Sequence, residues 1–114
     1  MSASESQERR QHPRFKLALP VEIRREGQPY GIKGETSDLS ISGFYYPTMM
    51  QMPANTSIDI TVWYGAEVLT CKGIVRTADP GVGNGIEFVD LDANARQSLS
   101  DFLNTFAAQE DLAE

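Results

Sequence analysis

The sequence predicts a mainly β protein, an antiparallel barrel or sandwich with one helix at its C-terminal end. Three observations carry that prediction. Short apolar runs with period-two alternation recur between residues 15 and 89, separated by turns rich in Gly, Pro, Asn and Asp. No helical period is interleaved with them, as parallel βαβ units would require. Beyond residue 92 the period changes, and Ala95, Leu99, Phe102, Leu103 and Phe106 fall on one face of a helix. That stripe has to be buried, most simply over an open end of a barrel.

The elements follow in order. Residues 1–8 are small and polar with nothing to bury, and are expected to be disordered, or ordered only when something binds. Residues 9–14 form an extended arm, because Pro13 disfavours helix at His12 and has no backbone N–H to donate. From Phe15 to Arg25, Leu17, Leu19, Val21 and Ile23 share a face, and Pro20 marks an edge or a bend. Gly27-Gln28-Pro29 is a turn. Tyr30 to Ser37 reads as a second strand, Asp38 to Ser42 as a loop or tight turn, and Gly43 to Thr48 as a third strand. Residues 49–56 connect it to a clear half-buried strand, where Ile58, Ile60 and Val62 alternate with Asp59 and Thr61. Tyr64 to Glu67 is a hairpin tip, Val68 to Ala78 a long strand, Asp79 to Gly85 a Gly/Pro loop, and Ile86 to Val89 the last strand. Asp92 is placed to cap a helix over 93–108, followed by a tail at 109–114.

Composition narrows the function. At 114 residues the chain is expected to be one domain, spanning 9–108, with the barrel at 15–90. A chain of this size buries roughly 65% of its unfolded surface, enough for a modest core. No apolar run reaches the ~20 residues a membrane helix needs, and the first residues lack the basic and apolar regions of a signal peptide. A lone cysteine, Cys71, forms no intrachain disulfide and reads as a small core hydrophobe, so a cytoplasmic setting is expected. Ten basic against sixteen acidic residues give a formal charge of −6, which opposes binding to long polyanions. The bases are uneven: Arg9, Arg10 and Arg14 lie close together, with Lys16 just beyond. A local basic patch on an acidic body suits a small anionic ligand. One histidine and one cysteine build no zinc cluster and no ordinary catalytic triad, so neither an enzyme nor a metal site is expected. Gly81 to Gly85 precedes a strand rather than a helix and is not a dinucleotide-binding loop.

Two motifs carry the chemistry. Arg10-Gln11-His12-Pro13-Arg14 sets two guanidinium forks four residues apart, roughly 13 Å between Cα atoms when extended. Each fork pairs bidentately with phosphate oxygens or guanine O6 and N7, and stacks on purines. On spacing alone the segment also reads as a solvated basic arm. Asp38-Leu39-Ser40-Ile41-Ser42-Gly43 offers a carboxylate, a hydroxyl and a backbone without a side chain. The same residues are also ordinary turn formers. Together the two segments suit a ligand with both phosphates and purine edges.

In this order, about two dozen residues apart, they are more specific than either alone. The pair, RxxxR then DxSxxG, resembles the signature of the PilZ domain family, and both halves are complete here. The resemblance runs from about Arg9 to Phe106 and includes Gly83-Asn84-Gly85-Ile86-Glu87-Phe88 as the closing strand. It implies a six-stranded antiparallel barrel with a C-terminal helix. It also implies binding of the bacterial second messenger cyclic di-GMP, with no other cofactor. By resemblance Arg10 would meet a guanine and Arg14 a phosphate, while Asp38, Ser40 and Gly43 would read the second guanine. Arg9 and Ser42 would flank them. The expected function is a single-domain receptor, monomeric or weakly dimeric. Its N-terminal arm would order on the ligand and so signal to a downstream protein. One rival is a PilZ-fold interaction module that binds no nucleotide. Another is a barrel binding single-stranded nucleic acid through Phe44, Tyr45 and Tyr46, which the acidic charge opposes. Met49, Met50 and Met52 read as loop packing or as a soft partner surface, and Trp63 and Tyr64 as a possible interface at a hairpin tip.

Overall fold

The structure, a computed structural model, describes residues 12–113, with side chains as far as Ala107. Eight strands form one antiparallel sheet: β1 Phe15–Lys16, β2 Pro20–Arg25, β3 Ile32–Glu35, β4 Asp38–Ser40, β5 Gly43–Pro47, β6 Ser57–Tyr64, β7 Glu67–Asp79 and β8 Gly83–Phe88. One helix, α1 Ala93–Ala113, follows. The sheet order is β1-β4-β5-β8-β7-β6-β2-β3, curled into a half-barrel. It is the mainly β fold with a C-terminal helix that the sequence predicts.

Eight strands appear where six were expected, for two local reasons. The run from Phe15 to Arg25 breaks between Lys16 and Pro20, and Asp38–Ser40 is a strand rather than a loop. Both follow from one long bent hairpin. Phe15 and Lys16 pair with Leu39 and Asp38, while Pro20 to Ile23 pair with Glu35 to Ile32. The two halves of that hairpin lie at opposite ends of the sheet, which closes the curl. At the bend, buried Thr36 satisfies the interrupted backbone: its hydroxyl accepts from Leu19 N–H at 3.0 Å and donates to Leu17 C=O at 2.7 Å.

Turn chemistry fixes the rest. Between β7 and β8, Pro80 and Gly81 are the central residues of a turn closed by Val82 N–H to Asp79 C=O at 2.9 Å. Gly81 sits at φ 72°, the conformation a type II turn requires there. The connection after β5 is tied down by buried Asn84, whose amide accepts from Met52 N–H and donates to Met52 C=O, both at 2.8 Å. Met52 is therefore core, while Met49 and Met50 stay exposed. Asp92 caps α1, accepting from Ala95 N–H at 2.8 Å.

The core is the inner face of the sheet with the helix laid on it. Leu39, Phe44, Ile86 and Val75 form one buried row across β4, β5, β8 and β7. Val21, Ile23, Ile58, Ile60, Val62 and Leu69 extend it. Leu99 and Leu103 of α1 are buried against this surface. Tyr64, read at a hairpin tip as an interface residue if exposed, is core: its ring meets Phe102 at 5.2 Å and its hydroxyl bonds Ser98 at 2.9 Å. Phe15 meets Phe106 edge-on at 6.1 Å, so β1 is docked on the helix. Cys71 is half-buried beside the core, and burial with nearby Asp90 pushes its thiol up to about 12, which keeps it protonated.

On the outer face, Asp59 is held between Lys72 of β7, at 2.7 Å, and Arg24 of β2. The hydrogen bond from Lys72 lowers its carboxyl below the ordinary 3.8. A lowered carboxyl stabilises the fold above its unfolded value and loses that contribution as pH falls through the folded one. Asp59→Asn should therefore cost about 0.5–1 kcal/mol at neutral pH. Urea titrations of both proteins should show this gap hold steady down to about pH 5 and shrink below about pH 4.

Candidate functional site

The outer face opposite the buried row carries a second row. Asp38 of β4 is opposite Tyr45 of β5, Tyr45 is opposite Gly85 of β8, and Gly85 is opposite Thr77 of β7. Above this row lies a depression of about 430 Å³, lined by Arg14, Asp38, Ser42, Tyr45, Arg76, Thr77 and Glu87 with the backbone of β8. The bent hairpin brings Arg14 here, since the pairing of Lys16 with Asp38 sets the preceding residues beside β4.

Arg14 and Asp38 meet at 2.6 Å, with side chains 32% and 31% exposed. Two of the motif residues that the sequence separates by 24 positions are thus joined in one ion pair. A pair this exposed is worth about 0–1 kcal/mol, so breaking it costs little.

Ser40 and Gly43 sit differently. The Ser40 hydroxyl is fully buried, accepts from Ser42 N–H at 3.1 Å and bonds the Ser42 hydroxyl at 2.8 Å. It shapes the turn that leaves Ser42 on the rim of the depression. Ser40→Ala should lower stability by about 1–2 kcal/mol in chemical denaturation, by orphaning the Ser42 N–H. Gly43 is opposite Glu87, and a Cβ there would stand 2.0 Å from the Ile86 carbonyl oxygen. Its missing side chain lets β5 and β8 pair. Arg9 and Arg10 lie outside the described residues. His12 faces Arg96 of α1, ring nitrogen to guanidinium at 3.3 Å.

Sequence reasoning missed Arg76, Thr77 and Glu87 as lining residues, and named Tyr45 only as a base-stacking residue in a rival reading. The Tyr45 ring reaches across β8 to Asp79 of β7, its hydroxyl donating at 2.7 Å. That bond, with desolvation and the Asp79 charge, pushes the phenol up to about 12, so it remains a neutral donor. Glycine at 83 leaves room for that ring, since a Cβ there would lie 2.8 Å from it, and at Gly85 a Cβ would stand 2.4 Å from the Thr77 hydroxyl. Gly85, which read as part of a loop in the sequence, lies in the floor of the depression. A legible signal existed in Arg76-Thr77, two consecutive polar residues that break the alternation of β7.

A second depression, about 660 Å³, opens beside β3, with Tyr46 and Met52 at its base and exposed Tyr30, Ile32, Met49 and Met50 around it. Among the described residues, no group of three metal-ligating side chains occurs, and no helix is long and apolar enough to cross a membrane.

The class is thus a β half-barrel with a polar depression on its outer face and Arg14 paired with Asp38 at the rim. The chain belongs to the PilZ domain family, whose family model matches residues 8–105. Solved structures share the fold. The PilZ domain of YcgR from Escherichia coli, with c-di-GMP, gives a TM-score of 0.71 at 12% identity, over 93% of this chain and 98% of that one. The PilZ domain of CeSA, from a cellulose-synthesizing bacterium, gives 0.62 at 21%, over 82% and 97%. MotI/DgrA, the Bacillus subtilis inhibitor of motility, gives 0.68 at 17%, over 89% of this chain; the chain spans 51% of that protein's length. No curated protein sequence matches the chain.

Proposed function

We propose that this PilZ domain is a cytoplasmic receptor for cyclic di-GMP, a regulatory binding module rather than an enzyme. The observation that carries the reading is the Arg14–Asp38 pair on the rim of the outer depression, which joins the two signature motifs in space. The guanidinium is an anion fork, and the carboxylate accepts from the adjacent N1–H and N2–H₂ of guanine, a match adenine lacks. Arg10 and Arg14 supply the arm contacts, with Arg9 beside them. Asp38 and Ser42 face the ligand, and Ser40 and Gly43 hold the turn that positions both. The arm closes over the ligand, and the surface so formed is what a downstream protein reads.

Each charged hydrogen bond to the ligand contributes about 1.5–3 kcal/mol, against at most about 1 kcal/mol for the exposed ion pair it replaces, so exchange favours the complex. Isothermal titration calorimetry of wild type and Arg10→Ala with cyclic di-GMP, GTP and cyclic di-AMP tests this. Saturable heat from wild type with cyclic di-GMP alone is expected. The absence of heat and of thermal stabilisation at micromolar ligand would move the reading to a PilZ-fold interaction module without nucleotide. The apolar depression beside β3 favours that alternative.

A further inference from the structure

Arg76 occupies an irregularity that the rest of β7 lacks. Val75 is opposite Ile86 and Thr77 is opposite Gly85, so two steps along β7 match one step along β8. Arg76 is the extra residue of a β-bulge. In regular alternation, Val75 facing the core would put Arg76 outside and Thr77 inside. The bulge instead puts both on the outer face, and the phase recovers with Ala78 half-buried and Asp79 exposed. Bulges are used to re-aim side chains beside functional sites. Here the result is a second guanidinium lining the same depression as Arg14.

That guanidinium is occupied in the free protein. Its Nε donates to Glu87 Oε1, and Glu87 lines the depression from β8. Both side chains are about half exposed, at 53% and 45%, so the pair is weak and exchangeable. Among the described residues, two guanidinium groups line the depression, each paired with one carboxylate: Arg14 with Asp38, and Arg76 with Glu87.

We propose that Arg76 is a further ligand-binding residue of this site, gripping a phosphate or guanine edge of the bound dinucleotide, and that Glu87 is its counter-ion, released when the ligand arrives. This deepens the cyclic di-GMP reading and rests on it. Glu87 sets the threshold for binding: it holds Arg76 in place while the site is empty and competes with the ligand for it.

Calorimetric titration of cyclic di-GMP into wild type, Arg76→Ala, Glu87→Gln and the double variant tests the inference, with melting temperatures confirming that each protein folds. Arg76→Ala should weaken binding about tenfold or more. Glu87→Gln should tighten it by about threefold to tenfold, and that gain should vanish in the Arg76→Ala background. If Arg76→Ala binds as wild type does, Arg76 is no contact. If Glu87→Gln tightens binding equally in both backgrounds, Glu87 acts only through the general field and the exchange is wrong. If Glu87→Gln weakens binding, Glu87 itself holds the ligand. Each of these sinks the inference and leaves the receptor reading standing, whereas a wild type that binds nothing removes both.

Discussion

Arg14→Ala should weaken cyclic di-GMP binding about 100-fold or more while leaving the melting temperature nearly unchanged. The two halves of that result have different causes. In the free protein Arg14 is tied to Asp38 in a pair about one-third exposed, where water screens the attraction. Removing it forfeits little fold stability. In the complex the same guanidinium would make two charge-assisted bonds to the ligand, each worth about 1.5–3 kcal/mol. Lysine should restore part of the attraction and none of the fork geometry. Calorimetry for affinity and a thermal melt for stability separate the two terms. An Arg14→Ala protein that binds within threefold of wild type would place the ligand elsewhere.

Gly43→Ala should act the other way, on the fold first. The new methyl would lie 2.0 Å from the Ile86 carbonyl oxygen and 3.0 Å from the Glu87 Cα, both backbone atoms that no rotamer change can move. Strands β5 and β8 would have to part, at a cost of about 2–3 kcal/mol, or a fall of about 10–15 °C in melting temperature. Any binding defect would follow from that. A Gly43→Ala protein that melts within a degree or two of wild type would mean the strands yield easily there, and the glycine's role would then be direct contact with the ligand.

The sequence made legible what repeats regularly. Ile58, Ile60 and Val62 mark β6 because one face of it is buried residue by residue. Leu99, Phe102 and Leu103 mark the helix because their period matches its buried stripe. The motif spacing identified Arg14 and Asp38 without revealing that they touch, because a contact across 24 positions depends on where the hairpin bends. Three features were hidden for reasons of the same kind. Asp38–Ser40 is strand because β1 and β5 flank it on both sides, overriding the turn preference of its residues. Tyr64 is buried because α1 crosses the hairpin tip, a packing no local pattern encodes. Arg76 and Glu87 belong to the site through a bulge, and a bulge exists only relative to the partner strand.

The bent hairpin also governs how the molecule behaves in a crowded solution. Sheet edges invite association with other chains, because they offer a row of unpaired backbone groups. Here the two edges are β1 and β3, one strand from each half of that hairpin, and they are only two and four residues long. Each carries an exposed lysine, Lys16 on β1 and Lys33 on β3. Short, charged edges are poor templates for a foreign strand, which leaves the long strands β6 and β7 shielded in the middle of the sheet. The fold thereby resists edge-to-edge aggregation.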